Sequence, residues 1–429
     1  MAMGVVDTLF AGPLGAVPLG GLAIGNIAFY AIYVLGGGTL HAMEPMVSQA
    51  FGAGRPADAV RALSAGRWLA FLLAVPLTGL LLAVPSGLRA IGYGEELVRV
   101  AQSYLVPMML GLLPALLFTA YRGYLSAVNV TRPIAVGAVA ANLLNVLLDW
   151  LLVDGKFGAP ALGVPGIGWS TTACRLLMLV VLLFAARARF AQDGQRPRWT
   201  PEWPRVRRLA LMGLPLGGAL FAEVGAFGGV GVLMGLLGEV PLAAHQVGLN
   251  VTALLFMVPL GLGSGAAVRC GQALGAGDPE RVRIAGTTAL LNAAAFAVVS
   301  GSLLYFGAEA IARAYRLPPE VFDLAVTFLS VGAAFQIADC LQVMGSAVLR
   351  GLGETHRPLM YTLLGYGGLA MPFGYVTAFV LGWAPVSLWY GLTIGLATVA
   401  ILAVRRFYHL VHELQTGVQE GARDAGSAS

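Results

Sequence analysis

The residues in this sequence best placed to do chemistry are carboxylates standing where carboxylates are costly. Asp7 lies in GVVDTLF, Glu44 in HAMEPMV, Asp149 in NLLNVLLDWLLV, Glu223 in ALFAEVGAF and Asp339 in FQIADCLQV. Each is embedded in an apolar run. An ionisable group inside a membrane-spanning segment faces a bundle interior or a water-filled cavity and marks an ion or substrate path. Asn142, Asn145 and Asp149 follow one another at helical spacing and share one face. That face presents two amides and a carboxylate, oxygen donors of the kind hard cations prefer. A carboxylate so placed can take up a proton or Na⁺ and change the local charge. The change biases a two-state transporter if the two states bind the ion with different affinity.

Each of these residues has a plainer alternative. Glu44 is near the end of its span, where a solvated or structural role is open. Asp7 could be an exposed residue near the start of the chain. Asp149, Glu223 and Asp339 could serve as hydrogen-bonding groups between helices. Arg175 and Arg269 read as counter-ions or as side chains reaching for the interface. His245 opens a span in AAHQVGLN, where it could cap a helix end or titrate near neutral pH. Cys174, Cys270 and Cys340 are far apart in apolar runs and form no metal or disulfide pattern. There is no P-loop, GxSxG or HExxH, so an ATP-driven pump and the common hydrolases are disfavoured. No basic run with interleaved aromatics points to nucleic acid, and no cofactor is expected beyond a coupling ion. An integral-membrane enzyme would need a clustered catalytic set, and none is visible.

The elements that must position these residues are membrane helices. Of 429 residues, 58% are hydrophobic and 11% are charged. A soluble domain is about a quarter charged, so lipid must be the solvent for much of this chain. Spans of roughly 20 apolar residues are predicted near 18–50, 62–85, 101–121, 132–153, 164–186, 207–237, 241–273, 284–307, 321–349, 359–381 and 386–404, after a fragment at 1–12. The first full span is too long for one straight crossing, and an interfacial lead-in is expected. Arg55, Arg61 and Arg67, then Arg122 and Arg132, then seven arginines in RARFAQDGQRPRWTPEWPRVRR, fall in alternate loops. Arg281, Arg283, Arg350, Arg357, Arg405 and Arg406 continue the set. The positive-inside rule makes that side cytoplasmic, and the C-terminus with it. The polar tail from 411 to 429 is expected to be disordered.

The sequence also repeats itself. SQAFGAGRPADAVR at 48–61 returns as GQALGAGDPERVR at 271–283, and LSAVNVTRP at 125–133 as LRGLGETHRP at 349–358. Two matches at nearly one offset imply two copies of six helices. An even number returns the chain to the same side, so the copies are parallel repeats. Such repeats are a transporter architecture, with substrate between the halves and alternating access by rocking. The expected domains are an N-lobe at 1–190, an Arg-rich cytoplasmic linker at 191–206, a C-lobe at 207–410 and the tail. The count of six per half leaves the fragment at 1–12 as a first helix shortened at its N-terminus.

These motifs resemble those of the multidrug and toxic compound extrusion (MATE) family, in its NorM-like branch. The likeness rests on EPMVSQAFGAG at 44–54, AVRCGQALGAG at 267–277, LMGLPLGGALFAEVGAF, LAAHQVGLNVTALLFMVPLGLG and VLRGLGETHRP, and covers about residues 4 to 405. It implies an all-α, twelve-helix antiporter of two six-helix lobes in the bacterial inner membrane, exporting small cationic or amphipathic substrates in exchange for H⁺ or Na⁺. Asp7, Asn145, Asp149 and Thr171 are similar to the family's N-lobe cation site, a possible Na⁺ site. Glu223 and Asp339 look like its C-lobe carboxylates. Phe335 stands where the branch can carry Tyr, which removes an oxygen ligand and tilts the expectation toward H⁺. A monomer is the expected state. A lipid-linked precursor or polysaccharide flippase of the wider superfamily is the alternative function. It would call for a more cationic cavity than this set of acids offers.

Overall fold

A computed structural model of the chain describes residues 2–195 and 199–427. Arg196, Pro197 and Arg198 of the Arg-rich linker, Met1 and the last two residues lie outside it. Among the described residues every regular element is a helix. In chain order they are α1 Ala2–Ala11, α2 Ala16–Leu40, α3 Met43–Gly52, α4 Pro56–Ile91, α5 Glu95–Leu110, α6 Leu112–Ala127, α7 Arg132–Asp154 and α8 Val164–Gln192. Then come α9 Trp203–Leu237, α10 Glu239–Gly275, α11 Pro279–Ala314, α12 Pro319–Gly351, α13 His356–Thr362, α14 Met371–Tyr375 and α15 Ser387–Ser427. Wider π turns at Leu363–Ala370 and Val376–Val380 join α13 and α14 into one span, His356–Val380. Among the described residues ten helical stretches are long and apolar enough to cross a membrane. The bent pair α5–α6 makes an eleventh crossing, and the short apolar Met3–Leu14 stands where the repeat requires a twelfth.

The outward faces show what the solvent is. Val75, Leu143, Leu236, Leu254 and Phe306 are each at least 66% exposed. Large apolar side chains displayed this densely would be an aggregation liability in water; in lipid they cost nothing. Proline and glycine set the irregularities. The helix direction turns by 46° between α5 and α6. Pro107 removes a backbone donor just before the bend, and Thr172 of α8 ties the turn by donating to the Pro107 carbonyl at 2.8 Å. The long first span does contain a break, at His41–Ala42, which sets off α3 at its far end rather than at its start.

The repeat is visible as repeated turns. Gly54 and Gly277, in the GAGR and GAGD turns, have φ of 68° and 70°. Each precedes a helix with proline in its first turn, α4 or α11. Asn129 and Gly353, in the second repeated motif, have φ of 63° and 83°. There the Val130 amide donates to the Leu125 carbonyl at 2.8 Å and the Glu354 amide to the Leu349 carbonyl at 3.0 Å, the same helix-ending bond in both copies.

The chain forms two compact units, which divide elsewhere than at the Arg-rich linker. Unit 1 holds residues up to Val47 and Arg55–Gly217; unit 2 holds Ser48–Gly54 and residues from Gly218 onward. Glycine explains the membership. A Cβ on Gly213 or Gly217 of α9 would collide with the Thr39 or Leu35 carbonyl of α2, so the first turns of α9 lie backbone-to-backbone on unit 1. Asp58 fastens the same region by pairing with Arg61 at 2.6 Å and Arg205 at 2.9 Å. The linker also docks here, with Trp68 donating to the Trp199 carbonyl at 2.8 Å and Arg67 lying 4.4 Å over the Trp199 ring. In unit 2, Gly52 meets the Gln272 carbonyl and Gly275 the Gln49 carbonyl in the same manner. One expectation is corrected. The last helix continues past 404 with Val411 buried at 2%, so the start of the expected disordered tail is packed helix. Val411 joins a core with Phe407 and Met344, which is why the helix does not stop where the apolar run thins.

Candidate functional site

Two clusters form around the buried acids, one in each unit. In unit 1, α1 carries Asp7, α7 carries Asn145 and Asp149, and α8 carries Ser170 and Thr171. Asn145 and Asp149 are one helical turn apart and point the same way. Both are fully buried, and Asp7 is 4% exposed. Asn145 Nδ2 donates to Asp7 Oδ1 at 3.1 Å and to Ser170 Oγ at 3.2 Å. Ser170 returns a bond to the Asn145 carbonyl at 3.3 Å. Thr171 Oγ1 donates to the other Asp7 oxygen, Oδ2, at 3.2 Å. Asp7 is thus held at both oxygens by neutral donors.

Asp149 is different. It lies beside Asp7 and Ser170, yet among the described residues no donor reaches either of its oxygens or Asn145 Oδ1. Buried polar atoms are nearly always paired, so three acceptors without donors in one pocket need an explanation. The donor set consists of two carboxylates, an amide oxygen and a hydroxyl. It suits a proton or a hard monovalent cation. Among the described residues no three His, Cys, Asp or Glu gather as a metal cluster. Arg175 lies near Asp7, its guanidinium 4.2 Å over the Phe29 ring and lining a cavity of about 180 Å³ with Tyr33 and Asn26.

In unit 2, Glu223 of α9 and Asp339 of α12 are near one another, with Asp339 2% exposed and its Oδ1 without a partner. Tyr366, in the π turns after α13, is 1% exposed and has its hydroxyl near Glu223, without a hydrogen-bond partner among the described residues. This supplies a phenolic oxygen from a different helix than the one where Phe335 stands. Phe335 itself packs 5.3 Å from the Trp389 ring and 6.0 Å from Phe227, as part of an aromatic wall. His245 is not a solvated helix end. It is 1% exposed, and its Nδ1 accepts from Trp389 Nε1 at 3.0 Å, which leaves the ring proton on Nε2. Among the described residues His245 Nε2 has no partner.

The structure therefore brings together Asp7, Asn145, Asp149 and Thr171, and separately Glu223 and Asp339, while His245 is tied instead to Trp389, which packs on Phe335. Asn142 does not join the first group, since its Nδ2 donates to the Ala138 carbonyl of its own helix at 2.7 Å. Glu44 sits in the first turn of α3 against Gly123. Sequence reasoning missed Ser170, Tyr366, Trp389 and Phe227. Ser170 immediately precedes Thr171 on α8 and could have been read from that adjacency. Tyr366, a lone hydroxyl between glycines in LLGYGGLA, was the other available signal.

The MatE family model matches residues 1–151 and 215–376. The chain belongs to the MATE family. It is 38% identical to the probable multidrug resistance protein NorM of Bradyrhizobium diazoefficiens, over 96% of this chain and 90% of that protein. It is 34% identical to the multidrug resistance protein PmpM of Pseudomonas aeruginosa, over 99% and 92%. A crystal structure of a MATE protein in a bent conformation superposes with a TM-score of 0.88 at 19% identity, covering 97% of this chain and 92% of that one, which speaks for the fold. This MATE chain is accordingly a multi-pass membrane transporter of the NorM-like branch, not an enzyme, with the bilayer as its solvent.

Proposed function

We propose that this MATE transporter exports organic cations and other cationic amphiphiles in exchange for H⁺ or Na⁺ by alternating access. The coupling ion binds at Asp7, Asn145, Asp149 and Thr171. The observation that carries the reading is the asymmetry of the buried acid pair in unit 1. Asp7 accepts a bond at each oxygen, from Asn145 and Thr171, whereas Asp149, buried beside Asp7 and Ser170, receives no donor at either oxygen among the described residues. A pair built this way holds one charge with protein donors and leaves the second to be neutralised by an ion. A cationic substrate competes for that same charge, which is the thermodynamic requirement for exchange. Glu223 and Asp339, backed by Tyr366 and the aromatic wall, form a second acidic site able to attract an organic cation through charge and ring faces. The names of its relatives as multidrug resistance proteins support the substrate class. The arginines in alternate loops support a cytoplasmic C-terminus in the inner membrane of a bacterium, and the working unit is taken as a monomer.

The test is efflux of a cationic dye from proteoliposomes under separately imposed pH and Na⁺ gradients. One gradient is expected to drive efflux in the native chain. Asp149→Asn keeps the shape, removes the chargeable oxygen and is expected to abolish the response to that gradient. Gradient-driven efflux that survives unchanged in both Asp149→Asn and Glu223→Gln would sink the proposal.

A further inference from the structure

A groove of about 890 Å³ opens in unit 2 along the seam of α10 and α11. It is distinct from both acidic clusters, and none of their residues lines it. Its floor is made of very small residues, Gly261, Gly265 and Ala273 on α10 and Ala285 and Ala289 on α11. At Gly261 and Gly265 a Cβ would meet nothing within 4 Å, so the space is open rather than filled by a neighbour. The rims are apolar and bared, with Leu262 at 42% and Ile284 at 54% exposure. From Gly261 to Ala273 the groove follows α10 for roughly 18 Å, about the depth of one leaflet of a hydrocarbon core roughly 30 Å thick.

Charge appears at one end only. Arg269, two helical turns from the floor's glycine Gly261 and six residues before the end of α10, is exposed and makes no ion pair among the described residues. Arg281, in the first turn of α11, pairs through Nε with Asp278 at 3.0 Å while its side chain stays 75% exposed, which leaves its terminal nitrogens to donate elsewhere. Asp278 is spoken for twice, since it also accepts from the Arg281 amide as the cap of α11. The trough is mostly apolar, with Thr288 and Asn292 of α11 as uncharged polar groups along it, and two guanidinium groups at its end repel the organic cations that the acidic clusters attract.

The geometry points to a binding site for one anionic phospholipid, its phosphate between Arg269 and Arg281 and an acyl chain laid along the glycine and alanine floor. Basic pockets between spanning helices at the cytoplasmic end are suited to anionic headgroups, and the Arg-rich turns mark this end as that one. The cavity is of the size that small-molecule sites have, about 300–1,000 Å³. The inference is independent of the coupling mechanism.

The full chain in nanodiscs of zwitterionic phosphatidylcholine is given a trace of phosphatidylglycerol or phosphatidylcholine carrying a photoactivatable acyl chain, and the adducts are mapped by mass spectrometry. Phosphatidylglycerol is expected to label α10 and α11 peptides about tenfold more than phosphatidylcholine does, in keeping with two basic residues at the headgroup. Gly265→Phe fills the groove without a backbone clash, and Arg269→Gln with Arg281→Gln removes the charge; each is expected to bring labelling to the phosphatidylcholine level. If one variant fails to fold, the other carries the test. Equal labelling by the two probes, labelling that persists in a folded variant, or displacement of the probe by inorganic phosphate as readily as by phosphatidylglycerol would each overturn the assignment.

Discussion

Replacing Trp389 separates two contributions that hold the second acidic site. The Trp389 ring lies 5.3 Å from Phe335, 5.6 Å from Phe328 and 5.9 Å from His245. Aromatic pairs at such separations contribute about 0.5–1.5 kcal/mol each, so the three together are worth about 1.5–4.5 kcal/mol. The indole N–H adds one hydrogen bond, to His245 Nδ1 at 3.0 Å. Between membrane helices such a bond averages about 0.6 kcal/mol and reaches about 1.7 kcal/mol. Ring packing should therefore outweigh the bond. Trp389→Ala removes both and is expected to cost about 3–5 kcal/mol. Trp389→Phe keeps most of the ring and is expected to cost about 1 kcal/mol. The measurement is reversible unfolding of the purified chain in mixed micelles by increasing dodecyl sulfate, followed by circular dichroism. A double-mutant cycle with His245→Leu isolates the bond, and its coupling term should fall near 0.6–1.7 kcal/mol. If Trp389→Phe proves as costly as Trp389→Ala, or the cycle shows no coupling, the stated division between ring and bond is wrong.

Further outcomes follow from other contacts. Asn145→Leu strips Asp7 and Ser170 of a shared donor and leaves a buried carboxylate less supported, a loss of about 1.5–3 kcal/mol for a bond to a charged group; gradient-driven efflux should fall at least tenfold while the amount of protein in the membrane is kept. Gly52→Leu would drive a side chain into the Gln272 carbonyl; the yield of monodisperse protein on size-exclusion chromatography should collapse, whereas Gly54→Ala, in open space but at φ 68°, should cost only about 1–2 kcal/mol. Asn129 stands at the turn, at φ 63°, where the other copy has Gly353, so Asn129→Val should lower stability by about 1–2 kcal/mol, read from the unfolding midpoint.

The spans were legible because apolar runs of this length have few other uses. The prediction of 132–153 meets Arg132–Asp154, and that of 241–273 meets Glu239–Gly275. The misses have physical causes. Helices α4 and α11 run a turn or more beyond their apolar stretches because their amphipathic ends pack against neighbours, as Val282 does in its core. The bend at Gly111 was hidden because Pro107 sits in an otherwise uninterrupted apolar run. In the site, charge was readable and neutrality was not. Asp149 and Asn145 declared themselves as polar groups in lipid. Thr171 gained a role only through family likeness, Tyr366 offered no more than a lone hydroxyl among glycines, and Trp389 gave no signal, since a ring in an apolar run is ordinary packing until its partner is known. Asn142 shows the opposite error, because helical spacing put it on the right face while its amide was satisfied by its own backbone.

The two compact units are not the two copies of the repeat. Ser48–Gly54 interrupts the first copy yet belongs to unit 2, and the first turns of α9 open the second copy yet belong to unit 1. A chain cut in the Arg-rich linker would release one fragment without the α9 glycines that Thr39 and Leu35 lie against. The other would be missing the Ser48–Gly54 strip that Gly271 and Gly275 are shaped to receive. Duplicated genes commonly leave modules that can be parted again; here each copy has handed the other a piece of its own body. Separately made halves should be unstable alone and recoverable only by folding in each other's presence.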